Sequence, residues 1–476
     1  MLKPNILFII ADDASHFGGY GRDWVRTPNI DRLAADGVLF EQAFTTNPKC
    51  APSRASILTG RETWQLEDAC NHWNIFPSKF ECFPDTLESV GYHVGFTGKG
   101  WAPGDWKAGG RRRNPAGTGY NQRTLVPPEN TSLAKNDYLA NFEDFLADRK
   151  EGAPFYFWFG AKEPHRPYEL GQGKRAGKRR EEISAIPPYW PEDDIVRGDM
   201  LDYAFEIEYF DQQVGRFVNL LKENGEYDNT LIVVTSDNGA PFPRVKGQMY
   251  DDDFRLPLVM RWGELGKGGR RENALVSFVD FAATFLDVAG VDIDGRELAG
   301  ESLLGLLEGE SSTHREFVAM GRERHDLGRE GDLGFPVRCL RNDEFLYVKN
   351  YEPERWPAGN PETGFTNCDS SPTKDLVLDL EKNGVSKYYD LAFGKRPAEE
   401  LYSIKKDPHC MINLAGTAEY KGQLCSMREA LNHYLERTGD PRVRGEGDIF
   451  ESYPYCGGKS HSWEAYLEGT WEKQDY

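Results

Sequence analysis

Four short, uninterrupted apolar runs, residues 6–11, 94–97, 155–160 and 231–235, constrain the fold of this chain more than any other feature. Continuous hydrophobicity suits strands covered on both faces, whereas half-exposed strands alternate. Helical patterns lie between the runs, at 29–36, 53–58, 139–149, 201–224 and 279–289. The expected fold class is therefore α/β, with a large, mainly parallel sheet flanked by helices. After about residue 335 the pattern changes. Segments 337–350 and 388–404 read as short antiparallel strands and 418–437 as a closing helix before an aromatic, glycine-rich tail. This predicts an α/β part over residues 1–335 and a smaller C-terminal α+β subdomain, built on an antiparallel sheet, over 336–476. A chain of 476 residues has enough surface to bury for both.

Ligands of parallel sheets gather at the carboxyl ends of the strands. The residues that follow the four runs obey that rule: Asp12-Asp13, Lys99, His165 and Asp237-Asn238. Four segments distant in sequence are thus expected on one rim.

The formal charge of −20 argues against nucleic acid or an anionic membrane as partner, because both need clustered lysine and arginine. Arg111-Arg112-Arg113 and the stretch 174–180 (KRAGKRR) stand out from this background, either as anion sites or as solvated loop charge. No run approaches the roughly 20 apolar residues that span a bilayer. The run 5–11 lacks a basic leader and meets Asp12-Asp13 directly, so it reads as a buried strand rather than a signal peptide. Export would then need a signal outside this sequence. Eight cysteines show no zinc-site spacing, although Cys70 and Cys82 are spaced to close a short disulfide loop.

Cys50 precedes Pro52, Ser53 and a helical run, which sets it at a helix N-terminus, where free N–H groups and the dipole favour an anion. Arg54, one turn on, adds a fixed cation. A cysteine in such a place is also commonly a packed thiol. Asp12, Asp13, Asp237 and Asn238 offer the hard oxygen donors preferred by Ca²⁺ or Mg²⁺, and equally fit solvated turns.

The segment Cys50-Ala51-Pro52-Ser53-Arg54, followed by Thr59-Gly60, resembles the signature of type I sulfatases, enzymes of the alkaline-phosphatase-like superfamily. The likeness extends through Pro4-Asn5-Ile6, residues 27–31, Pro164 to Pro167, Ser236 to Gly239 and Glu400-Leu401-Tyr402. Residues 237–243 look closest to heparan N-sulfatase and its bacterial carbohydrate-sulfatase relatives. The resemblance implies that Cys50 is oxidised to formylglycine by a separate maturation enzyme. It implies a metal, calcium rather than magnesium, held by Asp12, Asp13, Asp237, Asn238 and residue 50. Arg54, Lys99 and Lys246 would bind sulfate oxygens, and His165 would protonate the leaving atom. The hydrated aldehyde offers two hydroxyls, one to attack sulfur and one whose deprotonation expels sulfate. The implied substrate is a sulfated oligosaccharide of glycosaminoglycan or algal type, cleaved at an O-sulfate or an N-sulfate. The implied location is periplasmic or secreted, and a cytoplasmic one is also compatible.

Many relatives carry a histidine two residues after the lysine equivalent to Lys99, whereas this chain has Trp101. The base for sulfate release is then His16, His72 or a metal-bound group. Trp101 is expected either as a sugar-stacking surface, beside Trp106, Trp73 and Trp64, or as core. His72, His325 and Arg111 are further candidates for binding the sugar. Two other readings share these residues: a phosphodiester or phosphonate monoester hydrolase, and a catalytically silent protein that binds sulfated glycans.

Overall fold

The computed structural model describes residues 3–263 and 268–472. The strands of its main sheet are β1 (Asn5–Ala11), β2 (Val38–Phe44), β3 (His93–Gly98), β4 (Thr118–Gly119), β5 (Phe155–Gly160), β6 (Thr230–Ser236), β7 (Arg255–Arg261), β8 (Arg270–Glu272) and β9 (Val276–Ser277). They lie in the order β8-β2-β7-β6-β1-β5-β3-β4, with β9 also paired to β2. Among these pairings only those of β7, with β2 and with β6, are antiparallel. The expected α/β class with a mainly parallel sheet is what the chain adopts.

The apolar runs are continuous because each side of the sheet takes alternate residues. Ile6, Phe8 and Ile10 enter one buried layer with Tyr156, Trp158, Leu231 and Val233. Leu7, Ile9 and Ala11 enter the opposite layer with Phe155, Phe157, Phe159, Ile232 and Val234. Helices Cys50–Thr59 and Asp280–Val288 cover the first face, and Tyr138–Asp148 and Asp194–Glu223 the second. The last of these starts before the expected residue 201. Asp193 caps it by accepting the Ile195 N–H at 2.7 Å, and the polar turn Arg197-Gly198-Asp199 hides the helical pattern from the sequence.

The second sheet is antiparallel and runs β10 (Val318–Arg322), β11 (Val337–Arg341), β12 (Phe345–Asn350), β13 (Glu399–Ser403). Its first strand therefore lies before the boundary expected after residue 335. The strand expected over 388–404 is corrected to a helix, Lys387–Ala392, followed by β13. Ala392 and Phe393 close that helix onto Phe365 and Val377, a packing that the aromatic pair Tyr388-Tyr389 does not reveal in one dimension. The Cys70–Cys82 disulfide that the spacing allows is not formed: both are buried free thiols, and the Cys82 Sγ accepts from Arg111 Nη2 at 3.0 Å.

Candidate active site

Strands β6, β1, β5 and β3 are neighbours that end level. Ala11 stands opposite Ser236, Ile10 opposite Gly160, and Gly98 opposite Gly160. The residues just beyond these ends converge on one rim, as the four runs predict. Asp13 adopts a left-handed backbone, φ 77°, which is strained for a residue with a Cβ. Neighbours fix it there: its N–H donates to Asp237 Oδ1 at 3.1 Å, and its Oδ1 accepts Asn238 Nδ2 at 2.8 Å. The turn after Asn238 is held by Asp253, which accepts the N–H groups of Gly239 and Gln248, each at 3.0 Å.

Cys50 is the first residue of helix Cys50–Thr59, all ten residues of which are buried. Inside it, Ser53 Oγ donates to the Asp237 carbonyl at 2.6 Å, and Thr45 Oγ1 donates to Ser53 Oγ at 2.8 Å. The Arg54 fork ties three segments together. Nε meets Asp237 Oδ2 at 2.8 Å, and Nη1 donates to the carbonyls of Lys99 and Gly100 at 2.6 and 3.0 Å. Lys99 Nζ meets both oxygens of Asp12, at 2.8 and 2.6 Å. Lys246 Nζ approaches from the other side, 2.6 Å from Asp13 Oδ2. His165 Nε2 lies 3.9 Å from that same oxygen, while its Nδ1 is hydrogen-bonded to the Arg166 carbonyl.

Burial raises the Asp12 pKa, but Lys99, His165 and Arg54 outweigh it and hold Asp12 well below the usual carboxylate range. At Asp237 burial prevails over Arg54, and the charges of Asp12 and Asp13 push it further up. Burial and Asp12 likewise hold the Cys50 thiol protonated. Asp12, Asp13 and Asp237 turn carboxylate oxygens to within 4.8 Å of one another, and Asp12, Cys50 and His165 form a second such group. The Asn238 Oδ1 is buried without a hydrogen-bond partner, an anomaly for an amide oxygen. A raised carboxylate and an orphaned amide oxygen in an all-oxygen donor set fit a hard divalent cation.

A second tier, absent from the sequence reading, supports these groups. Asp369 Oδ2 lies 2.9 Å from Lys246 Nζ, so that ammonium bridges two carboxylates. Lys49, just before Cys50, pairs with Asp326 at 2.9 Å, and Asp326 also holds His72 Nδ1 at 2.7 Å. Lys49 was findable as a cation at a helix start; Asp326 and Asp369 lie in loops without a motif.

Burial or prior bonding corrects four expectations for sugar binding. Trp101 is 1% exposed, its indole N–H donates to Ala51 O at 3.0 Å, and its ring packs edge-on against Phe76. It offers no free face for stacking. Arg111 is spent on Asp85, at 3.1 Å, and lies over the Phe76 ring. His325 is buried, with Nε2 2.9 Å from Asn47 Oδ1, and does not reach the cleft mouth. His72 is buried against Asp326, and desolvation lowers its pKa to about 4. His16, the other base candidate, packs against Trp24 and Tyr203, and burial lowers it to about 3. Of the histidines among the described residues, His165 alone lines the cleft of about 700 Å³ that opens beside Asp12.

The carboxylate and cation centre thus stands at the carboxyl rim of an alkaline-phosphatase-like α/β fold, the place where such sheets bind ligands. Solved structures with this fold include BT4656 in complex with its substrate D-glucosamine-2-N,6-O-disulfate, with a TM-score of 0.65, 21% identity and coverage of 92% of this chain and 98% of that one. Another is the phosphonate monoester hydrolase of Agrobacterium radiobacter, with a TM-score of 0.63, 19% identity and coverage of 91% and 96%. Residues 4–291 match the family model described as Sulfatase, so the chain belongs to the sulfatase family and is a sulfuric ester hydrolase. Its relatives include an ulvan-active sulfatase of Formosa agariphila, 27% identical over 94% of this chain and 77% of the relative. Human N-sulphoglucosamine sulphohydrolase is also 27% identical, over 95% and 94%.

Proposed function

We propose that this enzyme removes a sulfate from a sulfated carbohydrate, an O-sulfate or an N-sulfate of a glycosaminoglycan or algal oligosaccharide. The reading rests on one observation, the convergence of Cys50 with Asp12, Asp13, Asp237 and Asn238 and with the cations Arg54, Lys99 and Lys246. A buried, protonated thiol is a poor nucleophile, so an unmodified Cys50 is ill suited to attack sulfur; the signature Cys50-Ala51-Pro52-Ser53-Arg54 is what supports its oxidation to formylglycine by a maturation enzyme. The hydrated aldehyde would supply geminal hydroxyls, and a Ca²⁺ held by Asp12, Asp13, Asp237, Asn238 and residue 50 would supply positive charge beside them. Calcium fits better than magnesium because many protein oxygens converge, while magnesium keeps several waters.

The chain's own residues divide the remaining work. Arg54, immobilised by Asp237 and two carbonyls, fixes residue 50 relative to the carboxylates. Lys99 and Lys246 flank the centre and neutralise sulfuryl oxygens from opposite sides. With Nδ1–H donating to the Arg166 carbonyl, His165 turns Nε2 to the centre, where the ring in its doubly protonated form can pass the Nε2 proton to the leaving oxygen or nitrogen and be left neutral. As the ring that lines the cleft, it also takes a proton back when sulfate departs, the role for which Trp101 leaves no other histidine. The smaller sheet and its loops, residues 318–472, form a subdomain that supplies Asp326 and Asp369 to this side of the site. A polymeric sulfated substrate would place the enzyme in the periplasm or the medium.

Steady-state hydrolysis of defined sulfated oligosaccharides and of a phosphodiester, by matured wild type and by Cys50→Ala, tests the reading. Sulfate release dependent on Cys50 and faster than phosphodiester cleavage is expected. Dominant phosphodiesterase activity would favour the phosphonate or phosphodiester alternative. Binding without turnover by fully matured protein would favour a silent glycan binder.

A further inference from the structure

The cleft carries two cations that the fold does not use. Beside Asp12, Lys99 and His165 it is lined by Lys135, Lys162 and Trp106. Both lysines are exposed, and among the described residues neither ammonium has an ion-pair or hydrogen-bond partner. The other cations nearby belong to the catalytic centre or to the fold: Lys99 pairs with Asp12 and Lys246 with Asp13 and Asp369, where both serve the scissile sulfate, and Arg166 pairs with Asp199 at 2.8 Å. What sets these two ammonium groups apart from other exposed lysines of the chain is their place on the cleft beside Asp12 and His165.

Their backbones are fixed. The Lys135 carbonyl accepts the Leu125 N–H at 2.8 Å, and Ala134 N–H donates to the buried Glu163 at 2.9 Å. Ser132 in the same loop donates to Glu206 at 2.7 Å. Lys162 N–H donates to Tyr138 Oη at 3.1 Å, and its carbonyl accepts His165 N–H at 2.9 Å. Lys162 is thus tethered three residues from the ring assigned to the leaving atom. Trp106, half-buried on the same cleft, offers the apolar wall that Trp101 does not.

We propose that Lys135 and Lys162 form a second anion subsite, selecting a sugar that carries another anionic group, a carboxylate or a further sulfate, beyond the scissile one. This rests on the carbohydrate-sulfatase reading. The shared chemistry is a second anion, and substrates separate its sources: a neutral monosulfated disaccharide, the same disaccharide with a uronate carboxylate, and the same with a second sulfate. Sulfate release is measured for wild type, Lys135→Ala, Lys162→Ala and the double variant. Binding of the same ligands is measured by calorimetry in the Cys50→Ala background.

Each single variant is expected to lose about fivefold in kcat/KM and in affinity on a dianionic substrate, the scale of one partly exposed charge pair, with the neutral substrate changing less than about twofold. The discrimination should shrink with added salt, since screening acts over about 8 Å at physiological ionic strength. Loss confined to the carboxylate arm or to the disulfate arm supports the subsite and identifies its anion. Equal loss on all three substrates, or loss on none, overturns it. If wild type releases sulfate from none of them, the parent reading fails separately, because calorimetry still compares the three ligands.

Discussion

Glu206 is 2% exposed beneath the loop that carries Lys135, and both Ser132 Oγ and Gln172 Nε2 donate to its Oε1 at 2.7 Å. Burial, with help from the charge of Glu163, raises its pKa from 4.5 to about 8. The folded protein therefore keeps a proton on Glu206 that the unfolded chain releases near 4.5. A raised carboxylate stabilises the fold fully below the unfolded value, and that contribution is lost as pH climbs from 4.5 to about 8. At about 1.4 kcal/mol per pH unit this span corresponds to about 5 kcal/mol, and relaxation around an ionised Glu206 reduces it to about 2–4 kcal/mol. Glu206→Gln keeps an acceptor for both donors but cannot ionise. Urea denaturation of wild type and variant, at about pH 5 and about pH 9, reads the difference through the midpoint. The two proteins should match within about 0.5 kcal/mol at the lower pH, and the variant should be more stable by about 2–4 kcal/mol at the higher. A variant destabilised equally at both values would show that Glu206 is an ionised, bonded carboxylate and would refute the reasoning.

Four further outcomes follow from the same geometry. Arg54→Lys cannot reproduce the fork to Asp237 and two carbonyls, so the matured protein should lose about 100-fold or more in kcat, with the aldehyde content of each sample counted to separate chemistry from maturation. Asp369→Asn leaves Lys246 with one carboxylate, so product sulfate should inhibit more tightly, by about fivefold, and an unchanged inhibition constant would remove Asp369 from the site. Chelation should lower both activity and unfolding temperature, with Ca²⁺ at about 100 times its Kd restoring about 2.7 kcal/mol; a protein indifferent to chelator has no such metal. Arg338→Met leaves Asp440, which Arg338 meets at 2.7 Å, buried without its ion-pair partner and Glu323, met at 2.8 Å, with Arg442 alone, and should cost about 3–5 kcal/mol in urea denaturation.

The parallel sheet was legible because β1, β5 and β6 are buried on both faces, and this writes an uninterrupted apolar run into the chain. The rim was legible for a related reason: strands that end level deliver the next residues to one place, so Asp12, Lys99, His165 and Asp237 converge whatever lies between them. What depended on side-chain burial was not legible. Trp101 and Arg111 have the chemistry of sugar ligands, yet one fills a gap under helix Cys50–Thr59 and the other staples Asp85 to Phe76. Asp369 and Asp326 escaped notice because their role comes from a tertiary contact across the smaller sheet's loops, with no periodicity or spacing to mark it. The strand expected across 388–404 failed where Tyr388-Tyr389-Asp390-Leu391 suits either state and packing on Phe365 decides for helix.

The central claim is that residue 50, as an aldehyde rather than a thiol, carries the chemistry. Preparations matured to different extents can be compared by the mass of the peptide containing residue 50, which separates the thiol from the aldehyde, alongside sulfate release from one sulfated oligosaccharide. The account predicts specific activity proportional to the aldehyde fraction and extrapolating to zero with the thiol. Activity independent of that fraction would contradict it.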